Sequence, residues 1–63
     1  MTTKALWQAI NHQWENIDNE TQWLNHYIAI GDIGFVENCV EEIEKALAVI
    51  KNATAILKNK ENK

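Results

Sequence analysis

The chain has no proline, serine or arginine, and only two glycines and one cysteine among its 63 residues. Without serine there is no serine nucleophile, and a single cysteine cannot form a disulfide within the chain. Without arginine there is no bidentate recognition of phosphate. The lack of helix-breaking residues, together with a 46% apolar fraction, predicts a globular and all-α protein.

Long hydrophobic runs are also missing, since none exceeds the five residues 46–50. A membrane-spanning helix needs about 20 consecutive apolar residues, so no transmembrane segment is predicted. The first residues alternate in polarity and do not resemble the apolar core of a signal peptide. We therefore expect a single domain, residues 1–63, in a protein of the reducing cytoplasm.

The charge is low and acidic, with nine carboxylates against six lysines and a net charge of −3. This balance disfavours nucleic acid as a partner, because phosphate contacts need clustered positive charge. A nucleic-acid-binding helical dimer that uses the lysines of the second helix remains the alternative hypothesis. Those lysines are Lys45, Lys51 and Lys58.

Both glycines lie in the segment 30–34, which is the only turn-like cluster. Gly31 suits the left-handed position that ends a helix, and Asp32 can cap the next one. The pattern predicts helix one at about 3–30, a turn at 31–33, helix two at about 34–58 and a frayed tail at 59–63. Asp18 and Asn19 could cap a third helix, but the unbroken periodicity favours one continuous helix.

Apolar residues recur at alternating spacings of three and four on both sides of the turn, which predicts an antiparallel helical hairpin. In helix one the predicted seam is Trp7, Ile10, Trp14, Ile17, Thr21, Leu24 and Ile28. In helix two the predicted seam is Val36, Cys39, Ile43, Ala46, Ile50, Ala53 and Leu57.

Helix two carries an apolar stripe that spans about half of its circumference, wider than the face that a surface helix usually buries against one neighbour. The extra neighbour should come from a second molecule, so we expect a homodimer in the form of a four-helix bundle. The residues expected to support self-association are Val40, Ile43, Leu47, Val49, Ile50 and Ile56.

A second stripe on helix one lies off the predicted seam and consists of Trp23, Tyr27 and Ile30. Ile33 and Phe35 could extend it near the turn. Tryptophan and tyrosine dominate binding hot spots, so this stripe is a candidate surface for a protein partner. The alternative is that a dimer mate or the turn covers it.

The first turns of helix two are acidic, and Glu37, Glu41 and Glu44 share one face. They are a second candidate for partner binding, through attraction to a basic surface. The simpler interpretation is that carboxylates are favourable near a helix N-terminus, with Glu41 paired to Lys45.

No residue pattern indicates catalysis, a metal or a cofactor. His12 and His26 fall on the polar side of helix one and are interpreted as solvated, while Cys39 is interpreted as a small core residue. We therefore expect a small non-enzymatic adaptor or inhibitor that occludes a surface of another protein.

Overall fold

The computed structural model describes residues 2–61 and contains two helices, α1 at Thr3–Ile30 and α2 at Ile33–Glu61. Residues 2–61 contain no strand, and the two helices pack along their lengths as a hairpin with a long axis of 49 Å. The predicted all-α hairpin is therefore confirmed.

Local capping sets the helix ends. The Thr2 hydroxyl accepts a hydrogen bond from the Ala5 amide at 3.1 Å at the start of α1. Gly31 has a φ of 73°, and its amide donates to the Ile28 carbonyl at 3.2 Å. The Asp32 carboxylate then accepts from the Phe35 amide at 3.3 Å, which caps α2. The roles predicted for the glycine and the aspartate are confirmed, because only glycine enters the left-handed region without strain.

α1 continues without a break through Asp18 and Asn19, as preferred from its periodicity. α2 extends to Glu61, three residues beyond the predicted end of helix two at about residue 58. Lys58 and Lys60 lie in the last turn, where positive charge is favourable at the negative end of a helix. The remainder of the predicted tail, residues 62–63, lies outside the described part of the chain.

The seam of α2 is the predicted one, and its buried members are Cys39, Ala46, Ala53 and Leu57. The seam of α1 keeps three of the seven predicted positions, and the other four are each one residue closer to the N-terminus. It consists of Leu6, Ile10, Gln13, Ile17, Glu20, Leu24 and Tyr27, all buried or half-buried.

The prediction for Trp7, Trp14 and Ile28 is therefore wrong, because their side chains are 52%, 61% and 61% exposed. Thr21 is exposed as well. The cysteine and alanines of α2 let the two helices approach closely, and an indole between them would hold the backbones apart. Leu6 instead packs with Ala53 and Leu57 in the core.

Candidate functional site

The hairpin has two broad faces, one on each side of the seam. Residues seven apart share a helix face, and the positions next to the seam fall into two sets. One set, here called the groove face, contains Ala9, Asn16, Trp23, Ile30, Phe35, Glu42, Val49 and Ile56. The other, here called the tryptophan face, contains Trp7, Trp14, Thr21, Ile28, Ile33, Val40, Leu47 and Thr54.

Two open grooves between the helices show which flanks of α1 and α2 belong together. Asn16 of α1 and Val49 of α2 line one groove. Trp23 and Phe35 line the next groove toward the turn. Glu42 borders both grooves, so these residues lie on one face and the tryptophan face is the opposite one.

An aromatic cluster occupies the turn end of the groove face. Tyr27 stacks on Phe35, with ring centroids 4.8 Å apart and planes 14° from parallel. Trp23 stacks on the same tyrosine at 6.0 Å and 24°. His26 meets Trp23 and Tyr27 edge-on, at 6.1 Å and 5.4 Å. Three of these ring contacts lie within α1, and the stacking of Tyr27 on Phe35 joins the last turns of α1 to the start of α2.

The rings of the cluster stack on one another but remain accessible. Tyr27 is half-buried at the seam, whereas about half of the Trp23 and Phe35 surfaces face solvent. Ile30 is also exposed and lies on the same flank as the tryptophan, one heptad closer to the turn. Of the two suggested extensions, Phe35 belongs to the cluster, and Ile33 lies on the tryptophan face.

Of the acidic candidates, Glu37 lines an open cavity near the turn together with Phe35, whereas Glu41 and Glu44 lie about one and two turns further along α2. Glu37, Glu41 and Glu44 are exposed on the side of α2 that points away from α1 or borders the tryptophan face. The suggested Glu41–Lys45 pair is replaced by a contact of 3.4 Å between Lys45 and Glu42. The two predicted partner-binding surfaces therefore adjoin at Glu37 and diverge further along α2.

The residues predicted for self-association are divided among three locations. Ile43 and Ile50 lie in the seam within the hairpin, Val49 and Ile56 lie on the groove face, and the remaining pair lies on the tryptophan face. That pair is Val40 and Leu47.

The tryptophan face was not predicted as a surface, because its α1 residues were assigned to the seam. Its six large apolar side chains are 39–73% exposed. Besides the indole N–H groups of the two tryptophans, its polar side-chain groups are two threonine hydroxyls, which bond within their own helices. The Thr21 hydroxyl donates to the Asp18 carbonyl at 2.7 Å, and the Thr54 hydroxyl donates to the Lys51 carbonyl at 2.9 Å.

The polar candidates do not converge. His12 and His26 are both exposed, and among residues 2–61 no group of three potential metal ligands is found. Cys39 is buried in the seam. Burial raises the pKa of its thiol above the ordinary value of 9.0, and the hydrogen bond and negative charge of Glu20 raise it further. A raised pKa disfavours the thiolate and therefore nucleophilic reactivity.

The lysines of the alternative hypothesis are dispersed over the hairpin. Lys45 borders the groove face and contacts a carboxylate, whereas Lys51 and Lys58 border the tryptophan face. In the described part of the chain, neither helix is long and apolar enough to cross a membrane.

Comparisons with protein-family models, with curated proteins and with solved structures give no match to this chain.

Proposed function

We propose that the protein is a small, non-enzymatic binding module that docks another protein through its aromatic cluster and acts by steric occlusion. In this proposal the working form is a homodimeric four-helix bundle in the cytoplasm. The rigid helices present Trp23 and Phe35, with Ile30 beside them, to an apolar groove on the partner.

The observation that carries the proposal is the aromatic cluster itself. Its rings are half-exposed yet held by stacking, with Tyr27 fixed against Phe35 at 4.8 Å. Ordered aromatic side chains lose little conformational entropy on binding and bury a large apolar area, which is why they dominate hot spots. An adaptor or inhibitor needs such an anchor on a rigid element.

The dimer is supported by the amount of surface that the single hairpin leaves accessible. Its accessible area is 4943 Å², whereas a compact monomer of the same 7.3 kDa mass would expose about 4200 Å². Large apolar residues on both faces contribute to this excess. Association with a second hairpin would remove one face from water and leave the other for the partner.

The dispersed lysines favour a protein partner over nucleic acid. A binding assay with nucleic acid in increasing salt separates the two classes, because binding to phosphate weakens steeply as salt rises. We expect no such salt-sensitive binding.

Replacing Trp23 by alanine should weaken capture of the cellular protein partner by about 1–2 kcal/mol or more, as truncation of an aromatic anchor does. The measurement compares the wild-type and Trp23→Ala chains as bait, followed by affinity measurement with the captured protein. Helix content should be unchanged, because the residue lies off the seam.

Gln22→Ala is the matched control, because its exposed side chain neighbours Trp23 in sequence but lies outside the ring contacts. Equal partner affinity for Trp23→Ala and wild type would contradict the proposal. Dissociation of the dimer by Trp23→Ala would instead place this residue in the self-association interface.

A further inference from the structure

We propose that the tryptophan face is where two copies of this chain meet, and that they pack antiparallel with their turns at opposite ends of the bundle. This inference rests on the homodimer of the proposed function and specifies its interface and orientation. It does not depend on the partner that the aromatic cluster binds.

The chemistry of the tryptophan face suits a largely apolar interface. None of its eight residues is ionisable, and both of its hydroxyls already donate to carbonyls of their own helices. A polar group that keeps its hydrogen bond can be buried without the usual desolvation cost. The groove face is different, since it carries Asn16 and the Glu42 carboxylate in the middle of its length.

The size of the tryptophan face matches what a stable pair of proteins buries. A hairpin of 28-residue helices is about 40 Å long and about two helix diameters, or 20 Å, wide. One face therefore offers on the order of 800 Å², which is the area that each partner contributes to a standard interface. A short peptide would cover only part of it, whereas a second copy covers it along the whole length.

The charges that border this face identify the occupant as a second copy. The border of α2 carries two glutamates toward the turn and two lysines toward the open end, each seven residues from the next. These residues are Glu37, Glu44, Lys51 and Lys58, and all four are exposed.

In the antiparallel arrangement, α2 lies beside α2 of the second copy and runs in the opposite direction. The centre of the charge series lies between Glu44 and Lys51, next to Leu47, the midpoint of α2. Full overlap of the two helices therefore places Glu37 opposite Lys58 of the second copy. The same overlap places Glu44 opposite Lys51, so the symmetric dimer contains four pairs of opposite charge.

The arrangement with both turns at the same end has the reverse electrostatics. There α2 lies beside α1 of the second copy, and residues equally far from the turn face each other. Lys58 would face Lys4, and Glu44 would face Asp18, so like charges would meet along both edges. Like-charge contacts are unfavourable, and they select the antiparallel arrangement.

The test uses two complementary charge variants of the full chain. One carries Glu37→Lys with Glu44→Lys, and the other carries Lys51→Glu with Lys58→Glu. Each variant alone would place like charges at all four pairs, so its dimer dissociation constant should rise at least roughly tenfold at low ionic strength. An equimolar mixture restores opposite charges at every pair and should recover about wild-type affinity. Sedimentation equilibrium measures all three samples.

The matched control is Glu15→Lys with Glu41→Lys, which makes the same charge change on the outer sides of the helices and should leave dimerisation intact. If neither charge variant dimerised more weakly than wild type, or if the mixture failed to recover wild-type affinity, the proposed orientation would be wrong but the dimer itself would stand. A monomeric wild type would overturn both. Neither result would affect partner binding, which Trp23→Ala tests separately.

A cross-linking experiment gives an answer that does not depend on the variants' stability. In a Cys39→Ala background, one chain carries Glu37→Cys and another carries Lys58→Cys. Oxidation of the mixture should join these two chains. A disulfide between chains carrying Lys4→Cys and Lys58→Cys, and none between the first pair, would instead demonstrate the arrangement with both turns at one end and overturn the inference.

Discussion

Replacing Leu47 by glutamate should convert the proposed dimer into a monomer. Leu47 is the midpoint of α2 on the tryptophan face, and in the antiparallel dimer it lies close to its own copy near the two-fold axis. The substitution would bring two carboxylates together in an apolar interface, and an unpaired buried charge costs several kcal/mol. We expect the dissociation constant to rise at least about a thousandfold, measured by sedimentation equilibrium.

Ile56→Glu is the control for this prediction. Both side chains lie on α2 and are similarly exposed in the single hairpin, at 51% for Leu47 and 43% for Ile56. Ile56 lies on the groove face, so its substitution should leave the dimer intact. If Ile56→Glu dissociated the dimer and Leu47→Glu did not, the interface would lie on the groove face.

Replacing Ile17 by alanine should destabilise the hairpin by about 2–5 kcal/mol, the usual loss for a large aliphatic side chain in a core. Ile17 is 7% exposed at the centre of the α1 seam. Such a loss is a large part of the stability of a domain this small, so the thermal midpoint should fall sharply. Thermal and denaturant unfolding followed by circular dichroism measure the change.

Ile30→Ala is the matched control, because it removes the same atoms from the same helix at a position that is 61% exposed. Its effect on unfolding should be within about 0.5 kcal/mol. Equal losses for the two substitutions would mean that the seam of α1 is misplaced.

The helix ends at the turn and the seam of α2 were predictable because each rests on a strong local signal. At the turn, Gly31 adopts the left-handed conformation and Asp32 caps α2. Along the seam of α2, small and large apolar residues follow one regular series. The continuity of α1 followed from the unbroken apolar spacing. These are properties of single helices, and no tertiary information was needed.

The seam of α1 was not predictable in the same way. The predicted and observed series share Ile10, Ile17 and Leu24 and differ by one residue at the other four positions. The observed series, which contains Gln13 and Glu20, is the less apolar of the two. Hydrophobic spacing therefore favoured the series with tryptophan. The observed series is favoured because the alanines of α2 let the two helices approach closely. This effect depends on how the two helices pack and is not visible in either helix alone.

Only the part of the candidate site that lies within one helix could be predicted from the sequence. Trp23 and Tyr27 could be identified as a stripe from their four-residue spacing, but the stacking of Tyr27 on Phe35 joins two helices across the turn. The tryptophan face was missed because Trp7 and Trp14 were assigned to the core. Once the seam is placed correctly, the same apolar residues define an exposed face.

The most direct test is the mass of the wild-type protein in solution at micromolar concentration, measured by sedimentation equilibrium together with its helix content. The predicted result is a helical species of twice the 7.3 kDa chain mass. A stable, fully helical species of 7.3 kDa would contradict it, because the hairpin would then keep its exposed tryptophan face in water without a second copy.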